Sequence, residues 1–458
     1  MKTALTTLIF ATTLNVFAEG VKVERSALDI GSYVDIGQIV KGGIADPATQ
    51  TIEVTDPNDP TKTITQVVLP SDGAVLQRTA VYLNQTTTIN DRLAIKIGVG
   101  GLFYYAFPAS PTDPTSRSLR FGPGVGQAQG VYSVGDLNNP SWKIQFGYFP
   151  YKYNQDAKDL GEFLLRDGTY PGYEVTGTAG WSFINSALYM ASGLRVNGNF
   201  LDGKLTADLN VFIERDIEPN HDLSPSVVLN YKPSELLDFG AGAEFAHLIS
   251  FTPHVLKGRQ YLIQGDSVLD QAAPIDSGDR FTFQGVKLMA RASANFGSLL
   301  NNPWIGKEGL KLYVEGAILG VKNYPVYYND ILARMPIMVG INLPTLNFFD
   351  VLSVEYEYRK WDFINSTAQI VDINYPYWDV SISDFYAGKN TANSEAIKAQ
   401  DNKWSVYGKK TITKGISIYA QAASDWVRGI DQNNNLTKLS ITQRPSQWYY
   451  LFRLEFGI

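Results

Sequence analysis

Cysteine is absent from this chain of 458 residues, and histidine occurs only three times. Without cysteine there are no disulfides, no thiolate metal sites and no cysteine-borne lipid anchor. His221, His247 and His254 do not have the spacing of metal ligands, so no metal site is predicted. Motifs for nucleotide binding or for a serine nucleophile do not occur in a suitable context. No cofactor and no enzymatic activity are therefore expected.

Long apolar runs are lacking as well. Nowhere do about 18 apolar residues follow one another, which excludes a membrane protein built from helices. Charged residues make up only 18% of the chain, and its net charge of −6 argues against nucleic-acid binding. No fixed sequence period appears that would support a solenoid or a propeller. A large secreted β-protein made of tandem sandwiches is the alternative that remains open.

What the chain does have is aromatic residues and two-residue alternation. Tyrosine, phenylalanine and tryptophan occur 26, 23 and 8 times. The last segment, 447–458, has apolar side chains at alternate positions from Trp448 to Ile458 and mostly polar ones between them. This pattern is typical of a β-strand with one apolar face. A strand that faces lipid on one side and water on the other needs this alternation.

The same alternation recurs along the chain and predicts about sixteen strands, separated by long and short connections in turn. An even strand number with connections sorted in this way predicts an all-β fold. The expected architecture is a transmembrane antiparallel β-barrel with long outer loops and short periplasmic turns. The predicted strands are 27–40, 75–89, 92–106, 125–134, 141–150, 181–196, 203–216, 224–232, 237–251, 280–297, 310–321, 334–343, 351–362, 403–412, 416–428 and 447–458.

The N-terminal sequence predicts export. Lys2 supplies a basic charge, an apolar segment follows to Phe17, and Ala18 completes a small-residue cleavage site before Glu19. This is the pattern of a secretory signal peptide over 1–18, which leaves 19–458 as a single barrel domain. The alternative is an N-terminal membrane helix, but the apolar segment is too short to span ~30 Å of hydrocarbon.

The terminal strand resembles the closing strand of outer-membrane β-barrels of Gram-negative bacteria, and the whole chain resembles a general or substrate-selective porin. Such barrels often end in Phe, whereas this chain ends in Ile458, with Phe456 as its nearest aromatic residue. The resemblance implies a place in the cell outer membrane, in contact with lipid and lipopolysaccharide, and recognition of the last strand by the barrel-assembly machinery. It also implies passive diffusion of small polar solutes or ions. Porins of this size are commonly homotrimers, so the resemblance implies that state too.

The alternation also divides side chains between lipid and lumen. Because the apolar residues face lipid, the alternate positions face inward. A barrel of this size is wide enough for an aqueous channel, and we expect a hydrated lumen instead of a packed apolar core. The inward charges include Arg78, Lys143, Arg195, Asp208, Glu214 and Glu455. The candidate pore-lining residues are Asp35, Lys96, Glu244, Lys287, Arg291, Glu315, Glu355, Glu357, Arg359 and Arg453.

The loop over 151–180 is the candidate constriction, and a short helix-like segment is expected within it at 156–166. The fragment 147–167 is similar to the strand-and-loop region of anion- and sugar-selective porins, and the loop resembles the third loop of porins, which folds into the barrel. This resemblance implies that acidic loop residues face basic wall residues such as Lys96 and set ion preference. An ordinary surface loop with solvated charges is the alternative. The candidate constriction residues are Asp156, Asp159, Glu162, Arg166 and Asp167.

Two functional classes other than a porin also stay open. An adhesion or binding barrel would use its long outer loops to bind a polymer or a partner. A transporter of hydrophobic substrates would carry an apolar hatch at its N-terminus. The expected cleavage site leaves only a few residues before the first strand, so the sequence does not favour this class.

Overall fold

The alternating segments form sixteen antiparallel strands that close into a barrel. This architecture is seen in the computed structural model of the chain. The residues that the structure describes are 23–41, 51–56, 59–67, 75–107, 118–136, 139–165, 189–213, 221–246, 248–249, 262–264, 267–269, 279–280, 285–300, 302, 304–305, 308–321, 331–358, 402–424 and 448–457.

All strands are numbered in chain order. A one-turn helix, Gly297–Leu300, and a 3-10 turn, Ile331–Arg334, accompany them. Within the described residues, no helix is long and apolar enough to cross a membrane. The strands are β1 (Val23–Lys41), β2 (Thr51–Asp56), β3 (Asp59–Val67), β4 (Val75–Ile89), β5 (Leu93–Phe107), β6 (Ser118–Gly135), β7 (Pro140–Tyr151), β8 (Tyr189–Phe200), β9 (Leu205–Ile213), β10 (Leu223–Tyr231), β11 (Leu237–Ala246), β12 (Leu262–Gln264), β13 (Ser267–Leu269), β14 (Asp279–Arg280), β15 (Gly285–Asn295), β16 (Lys311–Ile318), β17 (Ile337–Asn342), β18 (Val351–Tyr358), β19 (Asn402–Thr413), β20 (Ile416–Ala423) and β21 (Trp448–Gly457).

Strands that are neighbours in the barrel are also neighbours along the chain, and β1 closes the ring by pairing with β21. Asp35 of β1 lies opposite Arg453 of β21 on one side and opposite Arg78 of β4 on the other. The small strands lie outside the ring. A hairpin of β2 and β3 falls between β1 and β4, and a sheet of β12, β13 and β14 falls between β11 and β15.

Each of the sixteen predicted strands has a counterpart in the barrel, so the predicted fold class is confirmed. The predicted range 75–89 coincides with β4. A clear difference is at β6, which begins at Ser118 and not near residue 125. Its first part contains Pro123 between two glycines, a sequence that favours a loop, yet it pairs with β5 through an irregularity at Gly98 and Val99. Cross-strand pairing therefore outweighs the local preference.

The connections are sorted by length between the two ends of the barrel. One end carries 90–92, 136–139, 201–204, 232–236 and 414–415, with two longer connections, 296–310 and 343–350. In the first of these turns Asn90 and Asp91 both have positive φ, at 49° and 56°, as a tight hairpin turn requires. The other end carries 42–74, 108–117, 152–188, 214–222, 247–284, 319–336, 359–401 and 424–447.

The two faces of the strands differ as the alternation predicts. In β1, Val34 and Ile36 are 39% and 51% exposed, whereas the adjacent Tyr33 and Asp35 are buried. In β21, Phe452 is 52% exposed and the adjacent Arg453 is buried. The barrel is therefore apolar on its outer surface and largely polar on its inner wall.

One side of the lumen is filled by an apolar cluster, which corrects the expectation of a lumen without a packed core. The cluster joins Phe163 and Leu164 of the loop after β7 to inward-facing Phe212, Met289 and Met338 of the wall. The expectation failed because it considered only wall residues. The loop brings its own apolar side chains into the barrel and buries them there.

Candidate functional site

The loop after β7 folds into the barrel and docks on the opposite inner wall. Its centre is held by Glu355 of β18, whose carboxylate accepts hydrogen bonds from three consecutive backbone N–H groups. The N···O distances are 2.5 Å from Lys158, 2.8 Å from Asp159 and 2.8 Å from Leu160. Tyr313 of β16 also donates its hydroxyl to Glu355, at 2.7 Å. The docked segment is thus fixed by a buried carboxylate that belongs to the wall.

Two further wall carboxylates hold the ends of the same segment. Glu315 of β16 accepts the Tyr153 hydroxyl at 2.7 Å, the Asn154 side-chain amide at 2.6 Å and the Phe163 backbone N–H at 2.9 Å. Glu357 of β18 accepts the Gly161 backbone N–H at 3.2 Å. Hydrogen bonds to charged acceptors are stronger than neutral ones, and buried backbone donors need such partners.

The prediction of a helix-like segment at 156–166 is wrong for the residues of that range that the structure describes. Residues 156–165 form bends and turns. A helix needs its N–H groups to bond carbonyls four residues earlier, and here several of them bond Glu315, Glu355 and Glu357 instead. Gly161 and Glu162 also have positive φ, 79° and 58°, which is incompatible with a right-handed helix.

The acidic residues of the loop bind groups on the docking wall. Asp156 forms ion pairs with Lys311 and, at 4.0 Å, with Arg291. Asp159 accepts a short hydrogen bond from the Ser405 hydroxyl of β19. Glu162 accepts the backbone N–H of Asn154 at 3.0 Å, within the loop.

None of these described contacts reaches Lys96, the wall residue that the resemblance implied the acids would face. Lys96 is half-buried on β5, and it lies beside Gln129 in the cross-strand register. Arg166 and Asp167, the other two candidate constriction residues, lie outside the described residues.

The pKa values of the buried loop residues are shifted in different directions. Burial, together with the neighbouring charge of Glu355, raises the pKa of the Asp159 carboxyl to about 7. Its Oδ1 is buried and has no hydrogen-bond partner within the described part of the chain. Burial alone would raise the pKa of Asp156 too, but Lys311, Ser293 and Arg291 together more than offset it, so the pKa is lowered. Burial and the nearby Lys152 lower the pKa of Lys158.

Several other candidate pore-lining residues lie behind the docked loop. Glu244 and Lys287 form a buried ion pair at 2.9 Å, and Lys287 also donates to the Leu164 carbonyl of the loop at 3.0 Å. Arg291 pairs with Asp238 at 3.0 Å. These charges are inward-facing but are engaged with each other and with the loop. Arg359 lies outside the described residues.

Asp35 and Arg453 meet at the seam where the barrel closes. Asp35 accepts from Arg78 Nη2 at 2.7 Å and from Arg453 Nη2 at 3.0 Å, and all three side chains are buried. The guanidinium carbon of Arg453 lies 4.2 Å from the centre of the Tyr33 ring. This cluster ties β1 to both of its neighbours.

A row of uncharged amides on β4, β6 and β7 was missed in the sequence. Gln127 donates to Asn84 at 3.0 Å, Gln129 donates to Gln127 at 2.7 Å and Gln145 donates to Gln129 at 2.6 Å. We refer to these four side chains as the amide row. All of them occupy inward positions, which the alternation does predict, but only charged residues had been selected as candidates.

The amide row passes over β5 at Gly98. A Cβ atom there would lie 2.3 Å from Asn84 Oδ1 and 3.0 Å from the Gln127 side chain. Only glycine leaves the space in which Asn84 and Gln127 can bond across the intervening strand. At its other end the row reaches Arg195, whose Nη1 lies 3.3 Å from Gln145 Oε1 and which pairs with Asp208 at 2.9 Å.

No family model and no curated protein matches this chain. Among solved structures, it is similar to Pseudomonas putida OprB at 9% identity, with 94% of each chain covered and a TM-score of 0.47. It is also similar to a mutant of Rhodopseudomonas blastica porin at 8% identity, with 95% of this chain and 100% of that one covered and a TM-score of 0.43. Salmonella typhi OmpF, in complex with daunomycin, gives 10% identity, 95% and 100% coverage, and a TM-score of 0.41. These three solved structures are porins, and the fold of this chain is the closed sixteen-stranded barrel described above.

Proposed function

We propose that this protein is an outer-membrane porin that passes small polar solutes or ions by passive diffusion. The observation that supports this most directly is the division of the barrel into an apolar outer surface and an inner wall of charged and amide side chains. The outer surface suits lipid, and an inner wall of this kind suits water. A closed ring of sixteen strands is wide enough to hold an aqueous channel.

The loop that begins at residue 152 is the constriction of the proposed channel. Its described part crosses from β7 to β16, β18 and β19 and is bonded there by Glu315, Glu355 and Glu357. A segment fixed in this way reduces the open cross-section of the lumen. The part of the loop after Leu165 lies outside the described residues.

The proposal extends to the path that the chain takes. The segment 1–18 is the export signal, β21 is the strand that the barrel-assembly machinery recognises, and the mature protein assembles as a homotrimer. The end of the barrel with short connections faces the periplasm. The export signal is supported by the sequence pattern, and the orientation by the sorting of connections between the two ends. The homotrimer and the recognition of β21 are what the resemblance to porins implies.

Single-channel recording tests the channel directly. The purified, folded protein is added to a planar lipid bilayer, and its conductance and its reversal potential in a salt gradient are measured. We expect a stable ohmic conductance, with heat-unfolded protein from the same preparation as the control. Folding is judged by a difference in electrophoretic mobility between unboiled and boiled protein. A barrel that is folded by this criterion but conducts no ions would overturn the proposal.

A further inference from the structure

The amide row faces the side of the lumen away from the docked loop. The polar contacts of the described part of the loop fall on β15, β16, β18 and β19. Its apolar cluster also includes Phe212 of β9 and Met338 of β17. The row lies on β4, β6 and β7, across the barrel from that wall. Asn84 and Gln145, at its two ends, are half-buried, and Gln127 and Gln129 retain 8% and 7% exposure. The row is therefore part of the wall that a solute would pass in the proposed channel.

The bonds within the row leave part of each amide available. A side-chain amide has two N–H donors and a carbonyl oxygen with two lone pairs. Gln127 uses one N–H toward Asn84 and one lone pair toward Gln129. Gln129 in turn uses one N–H toward Gln127 and one lone pair toward Gln145. Within the described part of the chain, each of these two residues thus keeps one donor and one acceptor, so the row offers both kinds of group side by side.

This arrangement is also fixed before any solute arrives. Each amide is oriented by its neighbours, and Arg195 with Asp208 anchors one end. Binding groups held in place lose less conformational entropy on binding than free side chains do. The row itself carries no charge, so it neither attracts nor repels ions strongly.

We propose that the amide row is a binding track for neutral, polyhydroxylated solutes such as sugars. A hydroxyl group both donates and accepts a hydrogen bond, and it matches a wall that offers a donor and an acceptor at neighbouring positions. A solute without hydroxyl groups has no equivalent match. The row thereby deepens the proposed channel function, on which this inference rests, by assigning a class of solute to one wall.

The alternative to a binding track is that the amides only stabilise the barrel. In that case their loss would lower heat stability and leave solute passage unchanged. A binding track would instead show itself as saturation, because a solute that binds in the channel reduces the ion current up to a limit. The measurement therefore has to follow solute binding and folding separately.

The test measures the block of single-channel ion current by sucrose, a neutral disaccharide, in the full-length protein. Trimethylglycine, which has no hydroxyl group, serves as the comparison solute after correction for bulk conductivity. The test variant carries Gln127→Met and Gln129→Met, which keep side-chain length but remove the amides. The matched control is Gln85→Met on β4, because Gln85 lies outside the row and is bonded to Ser26 at 3.4 Å.

We expect saturable block by sucrose, and none by trimethylglycine, in the unaltered protein. The double variant loses two side-chain amides that would bind sucrose. Because each hydrogen bond contributes only modestly to binding, the sucrose concentration that gives half-maximal block should rise by about tenfold. The Gln85→Met control should match the unaltered protein. If the double variant does not fold, Gln129→Met alone should give a smaller increase in the same direction.

Two results would overturn the proposal in different ways. Ion conduction without saturable sucrose block, or equal block in the unaltered protein and a folded row variant, would remove the track and leave the channel standing. A folded barrel without ion current would remove the channel function and this inference with it.

Discussion

The inner wall of the barrel has two contrasting regions. The docking wall, on β15 to β19, carries buried carboxylates that bind the loop. The amide row, on β4, β6 and β7, carries uncharged groups that bind one another. The contrast shows that inward-facing charge is not by itself a sign of contact with solute. In this barrel the carboxylates of Glu315 and Glu355 serve a segment of the chain's own backbone.

The physical reason lies in what each group can satisfy. A backbone N–H that enters the barrel loses its water, and a carboxylate is the strongest side-chain acceptor available to replace it. Three consecutive donors converging on Glu355 make use of that strength. An amide is a weaker acceptor but is also a donor, so a row of amides can satisfy itself and still bind a neutral partner.

The largest effect should come from Glu355→Gln, which would break the docking wall. The variant weakens three backbone hydrogen bonds and one from Tyr313, each worth about 1.5–3 kcal/mol when the acceptor is charged. Loop docking should therefore lose at least about 3 kcal/mol, more than about a hundredfold in its equilibrium constant. Trypsin cleavage after Lys158, followed by mass spectrometry, measures the undocked population. Single-channel conductance should rise in parallel.

Glu455→Gln is the matched control, because Glu455 lies on β21, opposite Tyr33 in the register and away from the docking wall. It should leave cleavage after Lys158 unchanged. Equal cleavage rates in Glu355→Gln and in the unaltered protein would contradict the assignment of Glu355 as the main anchor of the loop.

A second, smaller effect should follow pH. Burial and the charge of Glu355 raise the pKa of Asp159 from its ordinary value of 3.8 to about 7 in the docked loop. Between these two pH values, Asp159 is protonated when the loop is docked and ionised when it is undocked. Docking is thus most favourable below the ordinary pKa and weakens about tenfold per pH unit up to about pH 7, above which it levels off. Conductance should be lower at about pH 5 than at about pH 8.

The groups that face Asp159 define how this prediction is checked. Glu355 and Lys152 are the charged ones, and Ser405 and Gln421 the hydrogen-bonding ones. Asp159→Asn, which stays neutral at every pH, should flatten the conductance profile. Asp156 titrates outside this window, because Lys311 helps to lower its pKa. A profile that persists in Asp159→Asn would assign the pH response to another group.

The smallest effect is expected from substituting a glycine that lies under a tyrosine ring, a packing motif that occurs in both regions of the wall. Tyr313 lies over Gly340 on the docking wall, where a Cβ would come within 2.1 Å of the ring. Tyr82 lies over Gly31 near the amide row, where a Cβ would come within 2.2 Å. Gly340→Ala displaces a ring whose hydroxyl bonds Glu355 and Ser353, and should weaken docking by about 1–2 kcal/mol.

Gly31→Ala displaces the half-buried Tyr82, which takes no part in the loop contacts described above, and should leave docking unchanged. Both variants are compared by cleavage after Lys158 and by midpoint temperature of unfolding. If the two variants affect cleavage equally, Tyr313 does not support the loop through Glu355.

The sequence contains enough information for the barrel but not for the docked loop. Period-two alternation depends only on which face of a strand is apolar. The bounds of β4 and β21 could therefore be predicted closely from the sequence. The partners of Glu355 could not, because they are backbone N–H groups, which every residue except proline carries. The amide row could have been found, since Gln127 and Gln129 follow the inward register. A prediction based on charge alone selects Lys96 and not these uncharged side chains.

The seam between β1 and β21 has a consequence for how the molecule is made. The hydrogen bond from Arg453 to Asp35 joins residues 418 positions apart, so the first strand has to wait for the last one. Contacts of such long range form late and slowly. Until they form, β1 and β21 each present an unpaired edge, which is a template for aggregation. The ring therefore gains its protection from misassembly in a single final step, when the end of the chain meets its beginning.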